Sequence, residues 1–239
     1  MASATVVIDC FPESVPAYRD DHAIVAIDVI RATTTATTAV ALGLRCYVAG
    51  TLEELVPLAA RLDNPLLVGE VGGNMPYGFD LTNSPAALTQ LADRSRPMIL
   101  LSTSGTRLVC ESRGARGVYV ACLRNYRAVA RHLADVGDRV AVIGAGARGE
   151  FREEDQLCCG WIAELLLEAG FDAADEQTER VVTRWRGADL AKLRTGNSAK
   201  YLVDTGQLAD LDFVLAHVDD LDVVVELQGD EIVQARVFA

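Results

Sequence analysis

The sequence predicts an α/β protein, a layered α/β/α arrangement around a largely parallel or mixed sheet. Three observations carry that expectation. Short continuous apolar runs alternate with segments of helical period along most of the 239 residues, the pattern of strands covered on both faces by helices. Half the residues are hydrophobic and 23% are charged, the profile of a globular chain long enough to bury a sizeable core. Polar and glycine-rich clusters recur just after the apolar runs, where the strands of such sheets end and ligands bind.

In chain order, strands are expected at Thr5–Ile8, Ala23–Asp28, Arg45–Ala49, Leu66–Gly69, Met98–Ser102, Gly117–Ala121 and Arg139–Ile143. Each is a short apolar run of the length a strand needs. Helices are expected between them, at Thr34–Leu42, Leu52–Arg61, Pro85–Leu91, Thr106–Ser112, Asn125–Asp135 and Asp155–Ala169. Asn83 or Ser84 can cap the helix whose first residue is Pro85, a position that proline favours. The last third differs. Thr178–Ala216 reads as polar and helix-rich, and Asp222–Leu227 and Glu231–Phe238 flank the turn Gln228-Gly229-Asp230. That C-terminal β-hairpin is expected as an antiparallel edge or an arm. A single domain over 1–239 is expected, with a division into two lobes near Gly137-Asp138 left open.

Charge narrows the function. With 34 acidic against 22 basic side chains the formal charge is −12, and no stretch clusters basic residues as nucleic-acid binding requires. An anionic ligand must therefore be held by local arginines, backbone N–H groups or a metal ion, because the far field repels it. The uncharged run Ala32–Leu44 has 13 residues and is rich in Thr, too short and too polar to span a bilayer. The opening MASATVVIDC carries no cationic start and no cleavage site, so a cytoplasmic protein is expected. The six cysteines form no CxxC pair and there are only three histidines, which disfavours a zinc site. The cysteines are expected as small core residues without a disulfide framework.

Four strand-end clusters concentrate the chemistry. In the first, Asp28 ends an apolar strand, Arg31 follows, and Thr33, Thr34 and Thr35 open the next helix. A carboxylate there can ligate a hard cation or attack phosphorus, and the guanidinium can grip an oxyanion with two parallel hydrogen bonds. The competing reading is a helix start with an Asp–Arg ion pair. An aspartate-nucleophile phosphatase of the haloacid dehalogenase type is disfavoured, because Ile30 stands where its second Asp belongs. In the second cluster, Glu70 ends a strand and Gly78-Phe79-Asp80-Leu81-Thr82-Asn83-Ser84-Pro85 follows; nothing local demands acids at Glu70 and Asp80.

The third cluster, Ser102-Thr103-Ser104-Gly105-Thr106, offers hydroxyls and backbone N–H groups as an oxyanion cradle. It lacks the P-loop pattern. In the fourth, Gly144, Gly146 and Gly149 match GxGxxG after a strand, a dinucleotide fingerprint. Glu150, Glu153, Glu154 and Asp155 crowd the same place, where a pyrophosphate would need positive potential. Those acids serve either as partners of a helix dipole or as neighbours of a metal ion.

These segments together resemble the 2-phosphosulfolactate phosphatase family. DVIRATTT (Asp28–Thr35), GE (Gly69-Glu70), GFDLTNSP (Gly78–Pro85), STSGT (Ser102–Thr106) and GAGARGEFREEDQLCCG (Gly144–Gly160) occur in the family's order over about residues 5–227. The chain departs from the family's pattern at Ser104, around Cys122–Tyr126, where Asn125 keeps its type and Arg124 does not, and at Gly196-Asn197-Ser198-Ala199. The resemblance implies an α/β fold of its own kind and a Mg²⁺-dependent phosphatase acting on a small, anionic, phosphorylated 2-hydroxy acid, in a step of coenzyme M biosynthesis. On that basis Asp28 is expected as nucleophile or metal ligand and Arg31 as the phosphoryl-holding catalytic residue. Glu70, Asp80, Glu154 and Asp155 join Asp28 as candidate metal ligands. Thr33, Thr34, Ser84, Ser102, Thr103, Ser104, Gly105, Thr106, Asn125 and Arg148 are candidate phosphate or substrate contacts, with Arg107 and Arg124 as further choices for a substrate carboxylate or sulfonate. A homodimer is left open. The rival expectation is a non-catalytic nucleotide- or phosphometabolite-binding protein using the Gly144–Gly149 loop.

Overall fold

The computed structural model describes residues 3–235. A mixed sheet of ten strands runs through it in the order β4-β5-β3-β10-β9-β6-β2-β7-β1-β8. The strands are β1 (Thr5–Cys10), β2 (Ala23–Ile27), β3 (Cys46–Ala49), β4 (Leu66–Gly69), β5 (Met98–Leu101), β6 (Gly117–Ala121), β7 (Arg139–Gly144), β8 (Asp172–Ala173), β9 (Val225–Gln228) and β10 (Glu231–Gln234). The helices are α1 (Ala32–Ala41), α2 (Leu52–Ala60), α3 (Pro85–Thr89), α4 (Gly105–Glu111), α5 (Tyr126–Val136), α6 (Glu153–Glu168), α7 (Glu176–Trp185), α8 (Asn197–Asp204) and α9 (Leu208–Ala216). Short 3₁₀ helices lie at Pro12–Ala17 and Leu190–Thr195. No helix among the described residues is long and apolar enough to cross a membrane.

The sheet consists of two parallel halves joined by an antiparallel hairpin. β6, β2, β7, β1 and β8 pair in parallel, as do β4, β5 and β3. The hairpin of β9 and β10 stands between them, antiparallel to β6 on one side and to β3 on the other. The C-terminal hairpin is thus the bridge at the middle of the sheet, where an edge or an arm was expected. The part of that expectation beyond Ala235 lies outside the described residues. Its turn is pinned from both sides: Asp230 meets Arg61 and Arg113, and Glu231 meets Arg45.

This topology makes the two halves run in opposite directions, yet their carboxyl ends meet. The right-handed twist of a sheet supplies the reason. Five pairing steps separate β2 from β5, and at roughly 20–25° per step the rotation accumulates to on the order of 100–125°. The sheet therefore curls, and α1 and α4 fill the space inside the curl. One core cluster joins Ala32, Ala36 and Ala39 of α1 and Leu108 and Val109 of α4 to Ile24 and Val120 on one half and Val48 and Leu100 on the other.

Because α1 touches sheet on several sides, Thr33, Thr34, Thr35, Thr37 and Thr38 are all buried in it. Thr33, Thr34 and Thr38 hydroxyls return hydrogen bonds to backbone carbonyls one turn back, which satisfies a buried hydroxyl within the helix. The outer face of the larger half is covered by α5, α6 and α7, with Val25, Ile27, Leu133, Leu157, Ile162 and Trp185 in one core. α2 covers the smaller half through Leu55 and Leu58 against Ile99 and Leu101. Gly137-Asp138 lies in the turn from α5 into β7, a strand paired with β2 on one side and β1 on the other.

Candidate active site

The carboxyl ends of β2, β4, β5 and β7 surround a cavity of about 540 Å³. Asp28 and Arg31 reach it from the β2–α1 connection, and Glu70, Thr103 and Ser104 from the ends of β4 and β5. Gly146, Arg148 and Glu150 line it from the loop after β7, and Asp155 from the first turn of α6. Asn197, Ser198, Lys200, Tyr201 and Asp204 of α8 close the remaining wall.

Asp28 is buried because β2 is buried along its whole length. Burial pushes its carboxyl up to about 7; the negative charges of Glu70 and Glu154 act in the same direction, while the Ala32 backbone N–H and Arg31 act against it. Asp155 is held well above the usual carboxylate range by burial first and by Asp28 and Glu154 next. Its two oxygens accept the Val29 N–H at 2.8 Å and the Gly146 N–H at 3.3 Å, so the carboxylate ties the end of β2 to the loop after β7. Glu154, 2% exposed, is also raised by burial, and its Oε1 has no hydrogen-bond partner among the described residues. The sequence collects these acids in the first turn of α6, where the helix dipole favours them.

Gly105 has a steric reason to be glycine. A Cβ there would lie 2.2 Å from Asp28 Oδ2 and 2.6 Å from the Ala32 Cβ, so the missing side chain is what leaves room for the carboxylate. Arg31, 5% exposed, donates from Nη1 to Gln207 Oε1 at 2.6 Å and to Asp210 Oδ2 at 2.5 Å. Its Nε and Nη2 have no protein acceptor among the described residues, and the residue lines the cavity. The Ile30–Arg31 peptide bond is cis.

Several expected contacts serve the frame. Thr33 Oγ1 bonds the backbone of Asp28 and Thr34 Oγ1 the carbonyl of Val29. Ser102 and Thr106 satisfy each other's backbone N–H groups, which leaves Thr103 and Ser104 as the parts of that motif that reach the cavity. Ser84 caps α3 by accepting the Ala87 N–H and donates its hydroxyl to Asp210. Asn125 joins Val120 and Cys122 to Val223 ahead of the hairpin. Asp80 lies outside the cavity at the edge of the sheet, accepting the Leu67 N–H and paired with Arg96, and is not brought together with Asp28 and Asp155. Glu70 lines the cavity, its oxygens accepting from Thr103 N–H, Thr103 Oγ1 and Gly73 N–H as those of Asp155 accept from Val29 and Gly146. Arg107 pairs with Glu13 and Glu111, and Arg124 with Asp220; neither lines the cavity.

Among the described residues no three Asp, Glu, His or Cys side chains form a ready ligand cluster. Magnesium does not require one, since it binds through one or two carboxylates together with water and substrate oxygens. Two buried carboxylates, Asp28 raising the pKa of Asp155 and Glu154 raising both, with the unpartnered Glu154 oxygen nearby, form a hard-oxygen donor set that fits a divalent cation. Asp28 and Asp155 are the residues that could hold one. The glycine loop after β7 suits a dinucleotide poorly. Ala147 and Glu150 fold it back through two mutual backbone hydrogen bonds, and Asp155 occupies the Gly146 N–H that a pyrophosphate would use.

The wall formed by α8 and the clamp from α9 escaped the sequence motifs. The available signal was slight: the polar, small-residue start Gly196-Asn197-Ser198 of a helix and two acids, Asp210 and Asp212, inside an otherwise apolar one, of which only Asp210 is buried.

Fold and cavity define an α/β protein with an acid-lined, arginine-flanked pocket where several strands end. The sequence profile of the 2-phosphosulpholactate phosphatase family matches residues 9–230, and the chain belongs to that family. Among its relatives is a protein of Synechococcus sp. (strain CC9605), named a probable 2-phosphosulfolactate phosphatase. It is 37% identical over 224 residues, which cover 89% of this chain and 92% of the relative. A protein of the same name from Parasynechococcus marenigrum (strain WH8102) is 35% identical over 94% of this chain and 96% of its own length. One from Symbiobacterium thermophilum is 36% identical over 79% and 84%.

Proposed function

We propose that this protein is a magnesium-dependent phosphatase that removes the phosphoryl group from a small phosphorylated 2-hydroxy acid. 2-Phosphosulfolactate, giving 3-sulfolactate and phosphate, is the first substrate to test. The observation that carries the reading is the meeting of two kinds of charge in one cavity: the buried carboxylates Asp28 and Asp155 line it together with Arg31, Arg148 and Lys200.

Bound by Asp28 and Asp155, magnesium would supply a positive charge that neutralises phosphate oxygens. The protein's own residues do the rest. Arg31 holds the phosphoryl oxygens through its free donors, and the guanidinium stabilises charge that grows toward the transition state. Without a metal, burial pushes the Asp28 carboxyl up to about 7; a cation bound beside it would favour the ionised form at neutral pH. Ionised, it either takes a proton from the attacking water or attacks phosphorus itself; acid quenching of a single turnover separates the two by the presence or absence of an acyl-phosphate. Arg148 and Lys200 carry no ion pair among the described residues, whereas most arginines of this chain do, and they are placed to receive the carboxylate or sulfonate of the substrate.

The test is phosphate release from 2-phosphosulfolactate and phospholactate, with magnesium and then with a chelator. Asp28→Asn is expected to lower turnover at least about 10³-fold with the fold intact. Release that ignores the chelator, or normal turnover by Asp28→Asn, overturns the reading.

A further inference from the structure

We propose that Asp210, on α9, is the positioning residue for Arg31: it fixes the guanidinium so that its remaining donors face the cavity and receive a phosphoryl group. The inference rests on the proposed phosphate-binding role of Arg31 and adds a residue that no strand-end motif contains.

The geometry is that of a clamp. Asp210 is 3% exposed, deeper than almost any other carboxylate of the chain. Its Oδ2 accepts from Arg31 Nη1 at 2.5 Å, and its Oδ1 accepts from the Ser84 hydroxyl at 2.6 Å and the Ala86 N–H at 3.2 Å. The carboxylate is thus oriented from the far side before it meets the arginine. Gln207, one turn earlier, takes a second hydrogen bond from the same Nη1 at 2.6 Å. Four elements meet at this point: the β2–α1 connection, the start of α3, the lead-in to α9, and α9 itself.

Two acceptors on one nitrogen of a guanidinium, here the buried Asp210 carboxylate and Gln207, restrict the plane of the whole group, because the five N–H donors sit on a rigid fork. With Nη1 occupied, Nε and Nη2 remain in a set direction. A lysine has no such plane to fix. Ser84, a candidate substrate contact by sequence, acts one step further back, since its hydroxyl is spent on Asp210.

Two forces oppose each other when the carboxylate is neutralised. Asp210→Asn removes a negative charge near the anion site, which alone would tighten anion binding. It also releases the fork, which weakens binding. If Asp210 positions Arg31, the second effect wins.

The experiment titrates the full-length protein with inorganic phosphate in the presence of magnesium by calorimetry, alongside turnover. Asp210→Asn is expected to weaken phosphate binding about tenfold, the size of a misdirected charge-assisted hydrogen bond. In an Arg31→Lys background the same change is expected to add less than about twofold, because effects acting through one group are not additive. Gln207→Ala, a milder change at a half-buried position, is expected to weaken binding about two- to threefold in the wild-type background and not at all beside Arg31→Lys; it carries the test if Asp210→Asn does not fold. Tighter phosphate binding, unchanged binding by both folded variants, or effects that multiply with Arg31→Lys overturn the assignment. Wild-type protein that binds phosphate through Arg31 yet releases none from any phosphorylated acid would sink the phosphatase reading and leave this one standing. Wild-type protein that binds no phosphate sinks both.

Discussion

The two halves of the sheet contribute unequally to the cavity. The larger half, β6-β2-β7-β1-β8, brings Asp28 and Asp155 to it, with Glu154 buried just behind, and the carboxyls of all three are raised primarily by burial. The smaller half, β4-β5-β3, brings Glu70, whose oxygens are taken up in organising Thr103 and Gly73, and Gly105, whose missing side chain accommodates Asp28. The difference follows from coverage. β2 lies inside the sheet with helices on both faces, whereas β4 is an edge strand. A carboxylate is retuned where water is excluded, so the interior half supplies the shifted carboxyls and the edge half supplies room and alignment.

Three experiments test that division. The largest effect is expected from Gly105→Ala, which places a methyl group on the Asp28 carboxylate. Turnover should fall about 100-fold, the scale of a small misplacement of a reacting group, with a lower melting temperature from the contact with Ala32. Undiminished turnover would show that the smaller half does not control the space around Asp28.

The second effect is on stability and needs a chelator, so that no divalent ion offsets the acids. Folded Asp28 keeps its proton up to about pH 7, while an unfolded aspartate releases it near pH 4. The folded state therefore binds more protons between these values, and stability should fall as pH rises through that window. The urea midpoint is expected to drop from pH 5 to pH 8 in the wild type and to drop less in Asp28→Asn. Added magnesium at pH 8 should restore the wild type more than the variant. A flat profile in the wild type would remove the electrostatic contrast between the halves.

The smallest effect belongs to Asp80→Asn. The residue caps the edge of β4 and lies outside the cavity, so turnover and the magnesium response should stay within about twofold, the ordinary scatter of a surface change. A loss as large as that of Asp28→Asn would show that Asp80 acts in turnover from outside the cavity.

Most of the local structure was legible because its signals are local. Leu66–Gly69 and Gly117–Ala121 are strands over the expected residues, and Ser84 with Pro85 starts α3 as a cap and first residue should. Asp28, Arg31 and Asp155 were visible because a charge directly after an apolar strand, or crowded into a helix start, stands out in a sequence. The hairpin's place was not legible. Its turn chemistry fixes that β9 and β10 pair, but nothing in Asp222–Gln234 says which strands they will meet. Asp210 was hidden for a similar reason: its partners Arg31 and Ser84 lie more than a hundred positions away in the chain, and pairing over that distance leaves no periodic trace. The expected roles of Thr33, Ser102 and Thr106 left out competition within the protein, since each hydroxyl is already bonded to the backbone.

The bridging hairpin also bears on how the molecule comes together. Until residues 225–234 take their place, β6 and β3 each present an unsatisfied edge, and every other strand and helix precedes them in chain order. A nascent polypeptide therefore carries two sticky borders through most of its synthesis, and the curl that brings Asp28 and Asp155 to one cavity with Glu70 and Thr103 is not set until that late pairing occurs. Competence for catalysis and safety from aggregation arrive in the same event.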